Sequence, residues 1–168
     1  MSHSILVPLD YTGCAQEVAD QAAGYASRLG LGVVLFHVVS LPTGVTWATP
    51  VGEGVIPPTA RDVLQEDAKG ALSRFVPAFR ARGLDVRIET PEGDPADAIV
   101  TRAEESDIEL VIMGTHGRRG IERFVLGSVA ERVVRRASCP VMVVRSTDLL
   151  SHPGLTPAQA AVSAEGDG

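Results

Sequence analysis

Leu110-Val111-Ile112-Met113-Gly114-Thr115-His116-Gly117-Arg118-Arg119-Gly120, followed by Gly127-Ser128-Val129-Ala130-Glu131-Arg132-Val133-Val134, decides how this chain folds. The first four residues are apolar and are stopped at once by glycine, which is the length and composition of a buried strand. From Gly114 to Leu126 neither hydrophobic period is present, and the segment reads as a loop bearing glycine and arginine. From about Ser128 to Ala137 the apolar Val129, Val133 and Val134 predict a helix, and Pro140 then introduces a second apolar run, Val141 to Val144. Strand, loop, helix and strand in that order form the unit from which parallel sheets are built.

The same alternation extends back to the N-terminus. Ile5 to Leu9 is an apolar run ended by Asp10, with Thr12 and Gly13 beyond it, and Ala15 to Leu29 carries Val18, Ala22, Ala26 and Leu29 at helical spacing before Gly30 and Gly32. Val33 to Val39 predicts a second buried strand containing His37. Leu41 to Pro58 is rich in Pro, Gly and Thr and predicts a long loop, of the kind that in small domains is functional or mobile. A helix follows from about Ala60 to Arg82, with Leu64, Ala68, Ala71, Leu72, Phe75 and Phe79 on one face, an interruption near Pro77 and a stop at Gly83. Val86 and Ile88 alternate with Asp85, Arg87 and Glu89, as expected of a strand near a sheet edge. Gly93-Asp94-Pro95 opens a further helix, Asp94 as N-cap and Pro95 in the first turn, with Ile99, Val100 and Ala103 facing inward. Five strands alternating with four helices predict an α/β fold, a doubly wound open five-stranded parallel sheet with helices on both faces.

At 168 residues the chain supports one core with a short tail, since two cores would each approach the lower limit of self-sufficiency. Hydrophobic residues at 45% suffice for that core, but with 4% aromatic it must be filled by Ala, Val, Leu and Ile. We expect residues 1–145 to form the domain and 146–168 a flexible tail, in which Thr156-Pro157-Ala158-Gln159 is too short a helical start to hold alone.

A net charge of −6 argues against a surface that grips nucleic acid or an anionic membrane. The first ten residues lack the basic start of a signal peptide, and no apolar run approaches membrane-spanning length, so a cytoplasmic protein without membrane insertion is expected. Cys14 and Cys139 show no CxxC or Cys/His spacing, which points to reduced thiols rather than a metal knuckle or disulfide. The charge is unevenly spread. Between Gly114 and Arg145, seven arginines (118, 119, 123, 132, 135, 136 and 145) stand against Glu122 and Glu131, a local +5 that leaves −11 for the remainder.

In an open parallel sheet ligands bind beyond the carboxyl ends of the strands, at the point where strand order reverses. Pro8-Leu9-Asp10 and Met113 to Gly120, with Gly127-Ser128 at the mouth of the last helix, fall there. Glycines admit an anion to the backbone and a helix start offers unpaired N–H groups, so the combination predicts a phosphate cradle. For Arg135 and Arg136 the simpler role of complementing the helix C-terminal dipole stands beside this one. No GxxxxGK[ST] or GxGxxG is present, and no HExxH, GxSxG or CxxC.

Gly114-x2-Gly117-x9-Gly127-Ser128, flanked by the strand ending in Met113 and by Cys139-Pro140-Val141-Met142-Val143-Val144, resembles the universal stress protein family. Ile5-Leu6-Val7-Pro8-Leu9-Asp10 and Leu35-Phe36-His37-Val38-Val39 resemble it too, so the likeness covers residues 3 to 145. It implies an adenine nucleotide alpha hydrolase-like, Rossmann-like domain that binds ATP, with AMP and cyclic AMP as alternatives and Mg or Mn held through the phosphates. It also implies that Pro8, Leu9 and Asp10 line the adenine and ribose side, that the backbone of Val38 meets the adenine, and that Met113 and Gly114 continue that wall. Gly117, Arg118, Gly127, Ser128 and Val129 would hold the phosphates, with His116 lining the loop. One departure is Tyr11-Thr12-Gly13-Cys14, where the family often has Gly-Ser or Phe-Ser after the aspartate; Thr12 can replace serine as the helix cap.

Ser128 can equally be a plain N-cap. No histidine can be assigned to it as a base, and no water-positioning carboxylate stands beside the glycine loop, so binding ranks above turnover and slow ATP hydrolysis is the alternative. His37 is read as packing in its strand, Cys14 and Cys139 as buried small side chains, and Trp47 as either a lid or an anchor for the long loop. An uncovered last strand invites pairing, and the resemblance implies a homodimer there; a tail folded over that edge is the other option. The whole is expected to act as a nucleotide-responsive regulatory module in stress response, with a nucleotide-free dimeric interaction protein as a further alternative.

Overall fold

Ile5, Leu6 and Val7 are fully buried in β1 (Ser4–Pro8), because this strand is central and both its faces are covered. The computed structural model describes residues 3–10, 14–40, 60–115 and 126–145. The expected loop Leu41 to Pro58 with Trp47, the turn residues Tyr11, Thr12 and Gly13, and the tail 146–168 lie outside them. After β1 come α1 (Ala15–Leu29), β2 (Gly32–Phe36), α2 (Ala60–Ser73), α3 (Val76–Arg80), β3 (Val86–Glu89), α4 (Pro95–Ala103), β4 (Ile108–Gly114), α5 (Ser128–Arg136) and β5 (Val141–Val144). The strands form one parallel sheet in the order β3-β2-β1-β4-β5, with Ile5 opposite Val33 on one side and opposite Leu110 on the other.

Each helix has a local cause. α1 buries Val18, Ala19, Ala22, Ala23 and Ala26, and it stops where Gly30 turns left-handed at φ 68° and sends its N–H back to the Ala26 carbonyl. The single helix expected over 60–82 divides into two. Pro77 has no N–H for the Ser73 carbonyl, so the α-helical ladder cannot continue through it, and a tight turn closes instead with Phe75 N–H donating to Leu72 O at 3.0 Å. Two consecutive segments thus serve one crossover, and four helical crossovers link the five strands as anticipated. Leu64 departs from the expected apolar face: it is 39% exposed, one turn before Ala68, where burial of α2 begins. Val134 on α5 is likewise 46% exposed.

Helices α1, α2 and α3 cover one face of the sheet around Ile5, Val7, Leu35 and Phe79, while α4 and α5 cover the other around Leu6, Val34, Ile99 and Val133. At the β3 edge, Val86 and Ile88 pack with the first layer. Arg87 and Glu89 instead join an ionic network. Buried Arg102 of α4 makes paired contacts to Glu89 (2.8 and 3.1 Å) and to Asp107 (2.8 and 3.1 Å), and Arg87 reaches Asp107 at 2.7 Å and the Ser4 hydroxyl at 3.2 Å. The Arg102 guanidinium, seconded by Arg87, holds the Asp107 carboxyl well below the usual carboxylate range.

Candidate nucleotide site

The strand order reverses between β1 and β4, and there a cavity of about 510 Å³ opens at the carboxyl ends of the strands. Pro8, Leu9 and Asp10 enter it from the end of β1, His37 and Val38 from the end of β2, and Met113, Gly114 and Thr115 from the end of β4. Gly127, Ser128 and Val129 close it from the start of α5. Of the expected site residues, His116, Gly117 and Arg118 lie outside the described residues.

The floor is set by how two strands end. Leu9 N–H donates to Phe36 O at 2.8 Å as the last rung between β1 and β2, and the Leu9 carbonyl then accepts from His37 Nδ1 at 2.7 Å. A carbonyl only accepts, so Nδ1 carries the proton. His37 N–H and Val39 N–H both donate toward the β3 side, to Glu89 O at 3.1 Å and Pro91 O at 2.8 Å. By alternation the peptide groups of Val38 face the β1 side, where the ladder has already ended at Pro8 opposite Phe36. Among the described residues no backbone hydrogen bond takes the Val38 N–H or carbonyl, so a donor and an acceptor stand side by side at the cavity wall.

The opposite end is built from the backbone of β4 and α5. Thr115 N–H donates to Val144 O at 3.0 Å, and Gly127 N–H donates to Thr115 O at 2.7 Å, so the two ends of the intervening loop are pinned together. Gly127, not Ser128, is the N-cap, so the serine does not serve as the plain cap it resembled. With φ −60° and ψ 151° Gly127 adopts a backbone open to any residue. The first intrahelical bond is Glu131 N–H to Gly127 O at 2.9 Å. The N–H groups of Ser128, Val129 and Ala130 precede it and lack intrahelical acceptors, at the positive end of the helix dipole.

The arginine count needs correction. Arg132 pairs with Asp94 and Asp97, Arg136 with Asp97, and Arg135 with Glu131. The two aspartates sit at the start of α4, which lies against α5, and together with Glu131 they engage much of the positive charge inferred for the ligand. Among the described residues no Arg or Lys lines the cavity; Arg118, Arg119 and Arg123 fall outside them.

Several wall residues escaped the sequence reading. His37 was expected within a strand, but β2 ends at Phe36 and the imidazole turns to Leu9. Cys14, expected to be buried, is half-buried and lines the cavity with Ala15 and Val18 of α1. Pro95 and Ile99 of α4 also line it, and the signal for them was present: a helix that follows a strand of a parallel sheet starts at the carboxyl edge. Cys139 is half-buried, with its thiol pushed up by burial, and neither cysteine forms a disulfide. Among the described residues no three His, Cys, Asp or Glu side chains converge as a metal site, and no helix is long and apolar enough to cross a membrane.

Residues 1–145 match the family model of the universal stress protein family. The chain belongs to the universal stress protein family. A universal stress protein of Methanocaldococcus jannaschii is 33% identical over 147 residues, covering 84% of this chain and 81% of its own. The solved structure of a universal stress protein family member from Burkholderia pseudomallei superposes with a TM-score of 0.63 at 26% identity, over 86% of this chain and 97% of the other. That of an Archaeoglobus fulgidus universal stress protein in complex with dAMP gives 0.59 at 28% identity, over 84% and 96%. The Rossmann-like sheet of this universal stress protein is therefore the fold of its family.

Proposed function

We propose that this universal stress protein binds ATP in the cavity at the ends of β1, β2 and β4 and acts as a cytoplasmic, nucleotide-responsive regulatory module in the stress response. The observation that carries the reading is the Val38 peptide pair at one end of the cavity, with Asp10 at the end of the strand between it and the α5 N–H groups that have no intrahelical acceptor. Adenine presents an amino donor beside a ring-nitrogen acceptor, the complement of a carbonyl beside an N–H, and guanine presents the reverse. Pro8, Leu9 and Met113 supply apolar surface for the base, the Asp10 carboxylate suits ribose hydroxyls, and Gly127, Ser128 and Val129 suit phosphates. Gly114 continues that wall, and His116, Gly117 and Arg118 belong to the same segment. A relative crystallised with dAMP supports an adenine ligand. Since no carboxylate cluster converges among the described residues, Mg or Mn would be held chiefly through the phosphates, whose charge it would offset.

Calorimetric titration of the purified chain with ATP, AMP and cyclic AMP tests this reading. Saturable one-site binding of at least one of them is expected, and absence of binding to all three by the folded protein would refute it. Phosphate release from ATP above that of a Gly127→Val control would move the assignment to slow hydrolysis.

A further inference from the structure

Three helices line the cavity: Ala15 and Val18 from α1, Pro95 and Ile99 from α4, and Ser128 to Ala130 from α5 behind its cap Gly127. Where α4 and α5 share the core, part of the surface is small: Ala96, Ala103 and Ala130 are all buried to 2% exposure or less. On the solvent side Arg132 crosses from α5 to Asp94 at 3.0 Å and to Asp97 at 2.9 Å, and Arg136 also bonds Asp97. Asp94 is at the same time the N-cap of α4, accepting from Asp97 N–H at 3.0 Å. A planar guanidinium that addresses two carboxylates one turn apart fixes direction as well as distance.

We infer that Arg132, Asp94 and Asp97 form a clasp that holds the middle of α5 against the start of α4, and so sets where the first turn of α5 stands at the cavity. Arg132 and Asp97 are therefore positioning residues for the phosphate end of the nucleotide site, although neither lines the cavity. The ligand part of this inference rests on the adenine-nucleotide reading; the structural part stands without it.

Simple electrostatics and the clasp disagree about Asp97. Removing a carboxylate near an anionic ligand should tighten binding by charge alone, whereas opening the clasp should weaken it, as loss of Arg132 does. The wild type, Arg132→Gln, Asp97→Asn and the double variant are titrated calorimetrically with AMP and with adenosine, which lacks a phosphate. Amide hydrogen exchange is measured on the same proteins without ligand. The clasp predicts AMP affinity about three- to tenfold weaker in each single variant, no further loss in the double variant, and adenosine affinity unchanged. It also predicts about tenfold faster exchange of the Glu131 amide, which bonds Gly127. Arg132→Lys, which keeps the charge but not the fork, should fall between. Glu131→Gln, which removes a carboxylate from the first turn of α5 but leaves the clasp intact, should not weaken AMP binding. Tighter AMP binding by Asp97→Asn, or unchanged Glu131 exchange in both single variants, would overturn the clasp. If the wild type binds neither AMP nor adenosine, the exchange data decide the clasp alone, and the nucleotide reading stands or falls separately on the titrations with ATP and cyclic AMP.

Discussion

Val38 presents its peptide group to the cavity because the β1–β2 ladder ends at Pro8 opposite Phe36 while His37 and Val39 go on bonding to the β3 side, and that asymmetry gives the site its chemical polarity. Each mismatched buried polar group costs about 1–3 kcal/mol, so AMP should bind roughly tenfold to a hundredfold more tightly than GMP in parallel titrations. Equal affinities would show that the base is not read by this peptide. At this scale the sequence was informative where position follows from strand and helix ends: Pro8, Leu9, Asp10, Met113, Gly114, Gly127, Ser128 and Val129 all line the cavity. It was uninformative for His37, because Val33 to Val39 reads as one buried strand in which His37 is a single polar residue, and nothing marks the end of the ladder at Phe36. Counting arginines misled for a related reason. Arg132 lies 38 residues from Asp94 in the chain, and only the packing of α5 on α4 brings them together.

Among the elements, α3 shows how a short helix is kept. Its five residues have no independent stability, and it holds because Phe79 is buried to 1% exposure against α1 and the sheet. Phe79→Ala should cost about 3–5 kcal/mol in urea unfolding; a loss under about 1 kcal/mol would contradict that packing role. The network between β3, α4 and β4 adds a pH dependence. Asp107 has its folded-state pKa lowered by Arg102 and Arg87, so its contribution is complete above the unfolded carboxylate pKa of about 4 and fades as the pH falls below it. Thermal unfolding of the wild type should thus drop more steeply between about pH 5 and pH 2 than that of Asp107→Asn, which should itself be less stable at neutral pH. Parallel curves would remove Asp107 from the acid response. Element order was readable from the periodicity and Pro77 marked the interruption that divides α2 from α3, whereas the exposure of Leu64 depends on where the second crossover meets the sheet.

For the molecule as a whole, the β5 edge and the cavity define the two proposed outlets. Pro140 and Val144 turn their carbonyls to β4, accepting from Val111 and Thr115, so by alternation Val141 and Val143 turn their peptide groups to the outer edge of the sheet. If the protein dimerises there, Val143→Pro removes an edge donor without touching the β4 ladder. The mass measured by light scattering should then fall from dimer to monomer; an unchanged dimer would place the interface elsewhere. The central claim is that one cavity reads adenine at Val38 and phosphate at the start of α5. Backbone amide shifts followed during an AMP titration test it most directly. The account predicts saturable shifts at Val38, Gly114, Ser128 and Val129 that share one binding constant, with α2 and β3 left unmoved. No saturable shift, or shifts centred on another surface, would contradict it.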